Sequence, residues 1–242
     1  MLAIITAPCI KALSKIDGIE VVWVVVESLS DERKKIGWDL PDAGDAEIVC
    51  APNRKKIEDL VRDRADESVH IFSGHRTYAL LGYAFSICRR TNARIGFFTE
   101  GFDGRGIKGI FRFLLCYLDA MANRRRVDFI LAVGTYAVRW FAGCGWPANR
   151  IYPFAYLEDQ FIETRSEIDT DSNVGPVKLI FIGQCIERKG LDILLNALGR
   201  LSDLDWNLTV ISEGPEKRKL IKLASKLKLS DRIVFLPFLK HA

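Results

Sequence analysis

Short, almost wholly apolar runs alternate along this chain with longer stretches of helical periodicity, and the alternation stops once and then starts again. Leu2–Thr6, Ile19–Val26, Glu47–Cys50, Val69–Phe72, Arg94–Phe98 and Val127–Val133 read as strands. They lack a polar alternation, which suits strands covered on both faces by helices, and strand–helix alternation of this kind builds a parallel sheet. Between them, Lys55–Ala65 sets Ile57, Leu60, Val61 and Ala65 on one helical face. Thr77–Arg90 is apolar nearly all round and is expected to be buried. Together these elements predict one complete Rossmann-like domain over residues 1–157.

From Glu158 to Pro176 the composition turns acidic and polar, which is the signature of a linker over 158–176. The pattern then resumes. Strands are predicted at Val177–Ile182, Trp206–Ile211 and Arg232–Leu236, with helices near Gly190–Leu201 and Glu216–Leu227. Leu191, Leu194, Leu195, Leu198 and Leu201 form a helical stripe. Residues 177–242 therefore read as the first βαβαβ half of a second doubly wound domain. A three-stranded sheet of this size is near the lower limit for independent stability, and its edge leaves backbone groups unpaired. This half of the chain is expected to be the fragile one.

Composition closes off several function classes. With 49% hydrophobic and 27% charged residues the chain is neither disordered nor fibrous. Its apolar runs fall well short of the roughly 20 residues that a spanning helix needs. Met1–Thr6 lacks a basic leader, so no signal peptide is expected and the cytoplasm is the expected compartment. The cysteines at 9, 50, 88, 116, 144 and 185 form no CxxC pair, which favours reduced, buried thiols over disulfides or zinc. A net charge of +4 is too mild to argue for nucleic acid, although Arg124, Arg125 and Arg126 are clustered.

The stretch with the strongest chemical signal is Phe181-Ile182-Gly183-Gln184-Cys185-Ile186-Glu187-Arg188-Lys189-Gly190-Leu191-Asp192. A strand ends at Gly183, a polar turn carries Arg188 and Lys189, and a helix opens at about Gly190. A helix N-terminus offers free N–H groups and partial positive charge, and two adjacent cations favour a diphosphate. Ser212-Glu213-Gly214-Pro215 ends the next strand at the same carboxyl edge, where open α/β sheets bind ligands. The competing reading is an ordinary strand-to-helix turn with surface charges.

FIGQCIERKGLDILLNAL, followed by LTVISEGPEKRKLIKLASKLKLSDRIVFLPF, resembles the start of the C-terminal domain of family 4 glycosyltransferases. The first half is similar to a subgroup of them through Glu32–Trp38, His70–Gly74, Thr99–Asp103 and Tyr152–Tyr156. The resemblance implies a GT-B fold, in which two Rossmann-like domains face each other across a cleft. It also implies retaining transfer of a sugar from a nucleotide-sugar donor to a hydroxyl acceptor (a glycan, a lipid-linked or a small molecule), without metal or cofactor. Gly183, Gln184, Arg188, Lys189 and Gly190 would hold the donor diphosphate, and Glu213, Gly214 and Pro215 the nucleotide. Gln184 stands where many relatives carry Arg. The two glutamates spaced eight apart that relatives use for the nucleotide sugar have no counterpart after Gly183. The chain is thus expected to stop inside its second domain and to be impaired alone; the alternative is an inactive binding module.

In the first half, Ser73, Gly74 and His75 follow one predicted strand and Glu100 the next, at the edge that would face an acceptor. Glu100 occupies the place of a cleft histidine in many relatives. It is a candidate to stabilise an oxocarbenium ion or accept a hydroxyl proton, against the alternative that it caps a turn. His75 reads more readily as a structural loop histidine. Gly104-Arg105-Gly106-Ile107-Lys108-Gly109 matches GxGxxG, with Asp128 downstream, and supports a rival reading as an NAD(P)-linked oxidoreductase. The helix from Lys108 combines Ile110, Phe111, Leu114, Leu115 and Leu118 with Lys108, Arg112 and Arg124–Arg126. Burial of its apolar face on the sheet is expected. Peripheral contact with the inner membrane surface is the alternative.

Overall fold

The computed structural model describes residues 2–27, 40–157 and 175–238. Its described residues divide into two compact units, 2–27 with 40–157, and 175–238. Of the sequence features above, Glu32–Trp38 and nearly all of the linker lie outside the described residues.

The first unit opens with helix α1 (Leu2–Ser14) and continues β1 (Val22–Val25), β2 (Glu47–Cys50), α2 (Arg54–Arg62), β3 (Val69–Phe72), α3 (Ala79–Cys88), β4 (Arg94–Glu100), α4 (Gly106–Asn123), β5 (Phe129–Val133), α5 (Thr135–Gly143) and β6 (Ile151–Phe154). All pairings are parallel. The strands form two separate sheets, β1–β2 and β3–β4–β5–β6, rather than one continuous sheet.

Two expectations are corrected here. Leu2–Thr6 is helical, not a strand: five apolar residues cannot distinguish the two periods, and the apolar pattern runs on through Leu13 at helical spacing. Helix α1 is tied to the 42–45 turn, where Lys11 pairs with Asp42 at 2.8 Å and Ser14 Oγ accepts from the Asp45 amide at 3.0 Å. The strand missing from the expected set is β6, which carries Pro153 at an edge position where a proline costs no ladder bond.

The core of this unit lies between the four-stranded sheet and its helices. Ile95, Ile130 and Val127 are fully buried, packed with Phe72, Phe85, Phe97 and Trp146. Phe97 meets Trp146 edge-on at 5.6 Å between centroids. Arg126, one of the clustered arginines, donates to the carbonyls of Cys88, Thr91 and Ala93 and so caps the end of α3. All six cysteines are free; Cys88, Cys116, Cys144 and Cys185 are buried, while Cys50 is exposed.

The second unit is β7 (Val177–Ile182), α6 (Leu191–Gly199), β8 (Trp206–Ile211), α7 (Lys217–Lys226) and β9 (Ile233–Leu236), with the parallel order β7–β8–β9. Leu191, Leu195 and Leu198 from α6 and Leu220 and Ala224 from α7 pack on the sheet face that carries Trp206, Leu208 and Val210. Both helices therefore cover the same face. On the opposite face Ile180, Ile182 and Val234 remain exposed. Arg232 stacks on Trp206 at 4.3 Å and donates to the carbonyls of Trp206, Ser202 and Leu204, which fastens the start of β9 to the turn before β8.

Candidate active site

In the second unit, β7 ends at Ile182, Gly183 follows it, and the chain makes one 3-10 turn over Glu187–Lys189 before α6 begins. Gly190 caps that helix in the left-handed region (φ +66°, ψ 26°), where a side chain would be strained. The cap has no side-chain hydrogen bond, so the first amides of α6 point outward unsatisfied by a capping side chain. The stem of Lys189 runs past Gly183, its Cδ 3.9 Å from where a Gly183 Cβ would sit. Neither Arg188 nor Lys189 pairs with a carboxylate among the described residues. Both are exposed, as is Gln184.

The second turn is locked onto the first. The Cys185 amide donates to the Glu213 carbonyl at 2.8 Å, and the Glu216 amide donates to the Cys185 carbonyl at 3.1 Å. Beneath them the Cys185 Sγ and Ser212 Oγ lie 2.9 Å apart, both residues fully buried. A Cβ on Gly214 would stand 2.7 Å from the Cys185 carbonyl oxygen, so this glycine serves the close approach of the two turns. Glu213 is engaged by Lys217, whose Nζ donates to Oε1 at 2.6 Å. Pro215 is exposed beside it. The donor-side residues named from sequence thus share one edge, with an added cation, Lys217, that sequence reading missed.

At the carboxyl edge of the first unit's sheet, Glu100 ends β4 in register with Val133, and Val133 is in register with Phe154. This brings Tyr156, just past β6, within reach: its hydroxyl donates to Glu100 Oε1 at 2.7 Å. The Tyr156 ring packs edge-on against Phe98 at 5.6 Å. Burial first, and the Glu100 carboxylate second, push the Tyr156 hydroxyl well above its ordinary range, so it stays a proton donor. Glu100 itself is exposed and makes this bond to another element rather than to its own turn.

Ser73 and Gly74 form the turn after β3, closed by the Thr77 amide donating to the Gly74 carbonyl at 3.2 Å. His75 points away from solvent. It stacks on Phe97 at 4.9 Å, lies 4.5 Å from Phe85, and bonds through Nε2 to Asp119 Oδ1 at 3.1 Å. Asp119 also accepts from Asn123 at 2.8 Å and faces Arg76 at 3.4 Å. His75 thereby anchors α4 to the turn instead of presenting its ring at the edge.

The GxGxxG stretch follows the carboxyl end of β4, whereas Asp128 precedes β5 at the opposite, amino edge and accepts from the Ile95 amide at 2.8 Å. The two halves of that motif cannot meet on one dinucleotide. Nor is the apolar face of α4 buried on the sheet as expected. The residues it buries are Gly109, Cys116, Asp119, Ala120 and Asn123, and the large ones face out. No group of three potential metal ligands occurs among the described residues.

Residues 163–242 match the family of group 1 glycosyl transferases. No curated protein matches the chain. Among solved structures, Anabaena Alr3699/HepE in complex with UDP and glucose is similar over 98% of this chain and 64% of its own, with a TM-score of 0.61 and 13% identity. A glycosyltransferase from Rickettsia africae is similar over 95% of this chain and 63% of its own, with a TM-score of 0.58 and 17% identity. The chain therefore spans just under two thirds of the length of these two structures. The UDP-N-acetylglucosamine 2-epimerase from Rickettsia bellii is also similar, with a TM-score of 0.56 and 17% identity over 99% of this chain and 67% of its own. The α/β fold with parallel sheets matches that of GT-B glycosyltransferases. Because an epimerase has it too, the fold alone does not choose the reaction.

Proposed function

We propose that the chain takes part in glycosyl transfer from a nucleotide-sugar donor to a hydroxyl acceptor, with retention and with no metal. The observation that carries this is the match of its second unit to group 1 glycosyl transferases, on a stretch that includes the Gly183–Gly190 turn. The diphosphate of the donor sits against the open N-terminus of α6. Lys189 supplies a charge-assisted hydrogen bond there and Arg188 is the second cation, since Gln184 brings none. Glu213 and Gly214 flank the nucleotide, and Lys217 holds the Glu213 carboxylate in place. UDP is the first nucleotide to try, because the solved relative from Anabaena was captured with it.

On the acceptor side Glu100 is the group with catalytic chemistry. As an exposed carboxylate at a sheet edge it can accept a hydroxyl proton or face a developing positive charge. Tyr156 is a positioning residue that fixes one of its two oxygens.

Calorimetric titration with UDP, GDP and their sugars, on the wild type and on Lys189→Ala, tests the donor assignment. Loss of one charge-assisted contact lowers affinity by roughly 10- to 100-fold. Equal affinity in the two proteins would remove the diphosphate from this helix. A folded wild type that binds none of these ligands would leave the chain a binding module without a donor site. If turnover is found, the anomeric configuration of the product, read by NMR, decides retention.

A further inference from the structure

Helix α4 is inverted with respect to an ordinary surface helix. Its inward stripe is made of small or polar residues, Gly109, Cys116, Asp119, Ala120 and Asn123. Its outward stripe runs Ile107, Phe111, Leu114 and Leu118 at helical spacing, broadened by Ile110, Leu115 and Met121. Ile107 is 84% exposed, Phe111 64% and Leu118 52%. A continuous patch of large apolar side chains of this length is unusual on a free protein surface and marks a contact.

The charges around the patch select the contact. Between residues 103 and 126 the chain carries six basic residues, Arg105, Lys108, Arg112, Arg124, Arg125 and Arg126, against two acids. One acid, Asp103, is held by Arg105; the other, Asp119, is buried beneath the helix with His75 and Arg76. Lys108, Arg124 and Arg125 pair with no carboxylate among the described residues. A second copy of the same face would bring like charges together, which disfavours a two-fold dimer here. Apolar side chains flanked by unpaired cations fit the headgroup–acyl boundary of an anionic bilayer. No described helix is long and apolar enough to cross a membrane, so such a contact would be peripheral.

We infer that the outward face of α4 is a docking surface for an anionic lipid bilayer, with its apolar stripe inserted and Lys108, Arg112, Arg124 and Arg125 at headgroup level. The inference does not depend on the glycosyl-transfer reading. It is tested by co-sedimentation of the whole chain with vesicles of neutral phosphatidylcholine, and with vesicles containing roughly one third phosphatidylglycerol, at low and high salt. The chain is expected to bind the anionic vesicles more tightly and to lose much of that excess at high salt. Phe111→Asn with Leu114→Asn lowers partitioning onto both vesicles by roughly 10-fold or more. Lys108→Gln with Arg112→Gln lowers it by roughly 10- to 30-fold on the anionic vesicles alone. Phe111, Leu114 and Lys108 face outward and Arg112 gives up only an exposed bond to the Asp103 carbonyl, so the melting curve and far-UV spectrum of each variant should stay close to the wild type and report an intact fold. The inference is overturned if the wild type stays in the supernatant with anionic vesicles, or if either folded variant binds as well as the wild type. It is also overturned if light scattering shows a dimer that the Phe111/Leu114 variant dissolves, since the face would then join two copies.

Discussion

Glu100 and Tyr156 stand 56 residues apart and meet through a single 2.7 Å hydrogen bond, and that bond lets two kinds of contribution to the proposed transfer be told apart. Removing the carboxylate by Glu100→Gln should lower kcat by roughly 10²-fold or more if it moves a proton. Tyr156→Phe frees the carboxylate without removing it; kcat should fall by roughly 10-fold while the donor KM holds, as expected of lost orientation. Steady-state kinetics on the two variants distinguish these outcomes. His70 offers a prediction about pH. Burial lowers its pKa below the ordinary value of 6.5, and Ser68 Oγ lies 3.0 Å from its Nε2. The unfolded chain then binds the proton first as pH falls through 6.5, so stability decreases from there down to the folded pKa and levels off below it. Urea midpoints should be lower at about pH 5 than at about pH 7, with the difference reduced in His70→Gln. At Gly214, a methyl group would collide with the Cys185 backbone, and Gly214→Ala should cost about 2 kcal/mol in the same assay. Such residues differ in how far they could be read from sequence. Glu100 and Lys189 were legible because each ends a strand or opens a helix, positions that local pattern marks. Tyr156, and Asp119 beneath His75, were not, because only the folded sheet brings them to their partners.

At the scale of elements, pattern reading succeeded where an apolar run had only one way to be used. The strands β3, β7 and β8 fall where expected, since each is a short run bounded by polar turns. It failed at Leu2–Thr6, a run too short to show its period. It failed again at α4, for a different reason: periodicity shows that a helix has an apolar stripe but not which neighbour that stripe meets. Here the small stripe faces inward, with Gly109 pressed against the backbone of Gly104, and the large side chains face outward. The three-stranded sheet of the second unit shows a related asymmetry. With α6 and α7 on one face, the other presents Ile180, Ile182 and Val234 to solvent. Replacing Ile180 and Ile182 by Thr should reduce binding of a hydrophobic dye such as ANS while leaving the urea midpoint within about 0.5 kcal/mol of the wild type, because these side chains bury little. A large loss of stability on that change would show that the face is covered in solution.

For the whole molecule, the two units differ in how much interior they can draw on. The buried cluster of the first joins residues of four strands and their helices, whereas that of the second rests on three strands and two helices. Stability scales with such burial, so hydrogen exchange under rising denaturant should release the amides of β7, β8 and β9 before those of β4 and β5. Simultaneous release would mean that the units unfold as one. The mutual bonding of the Cys185 and Glu213 turns has a bearing on any ligand that reaches this edge. Because two backbone hydrogen bonds already hold the turns together, less disorder is left for a nucleotide to remove on arrival. The entropy of ordering a loop is then largely absent from the binding free energy, and association should proceed without a slow conformational step. The same bonding joins the two turns, so the diphosphate and nucleotide ends of a donor held as proposed would meet one connected surface rather than two independent loops.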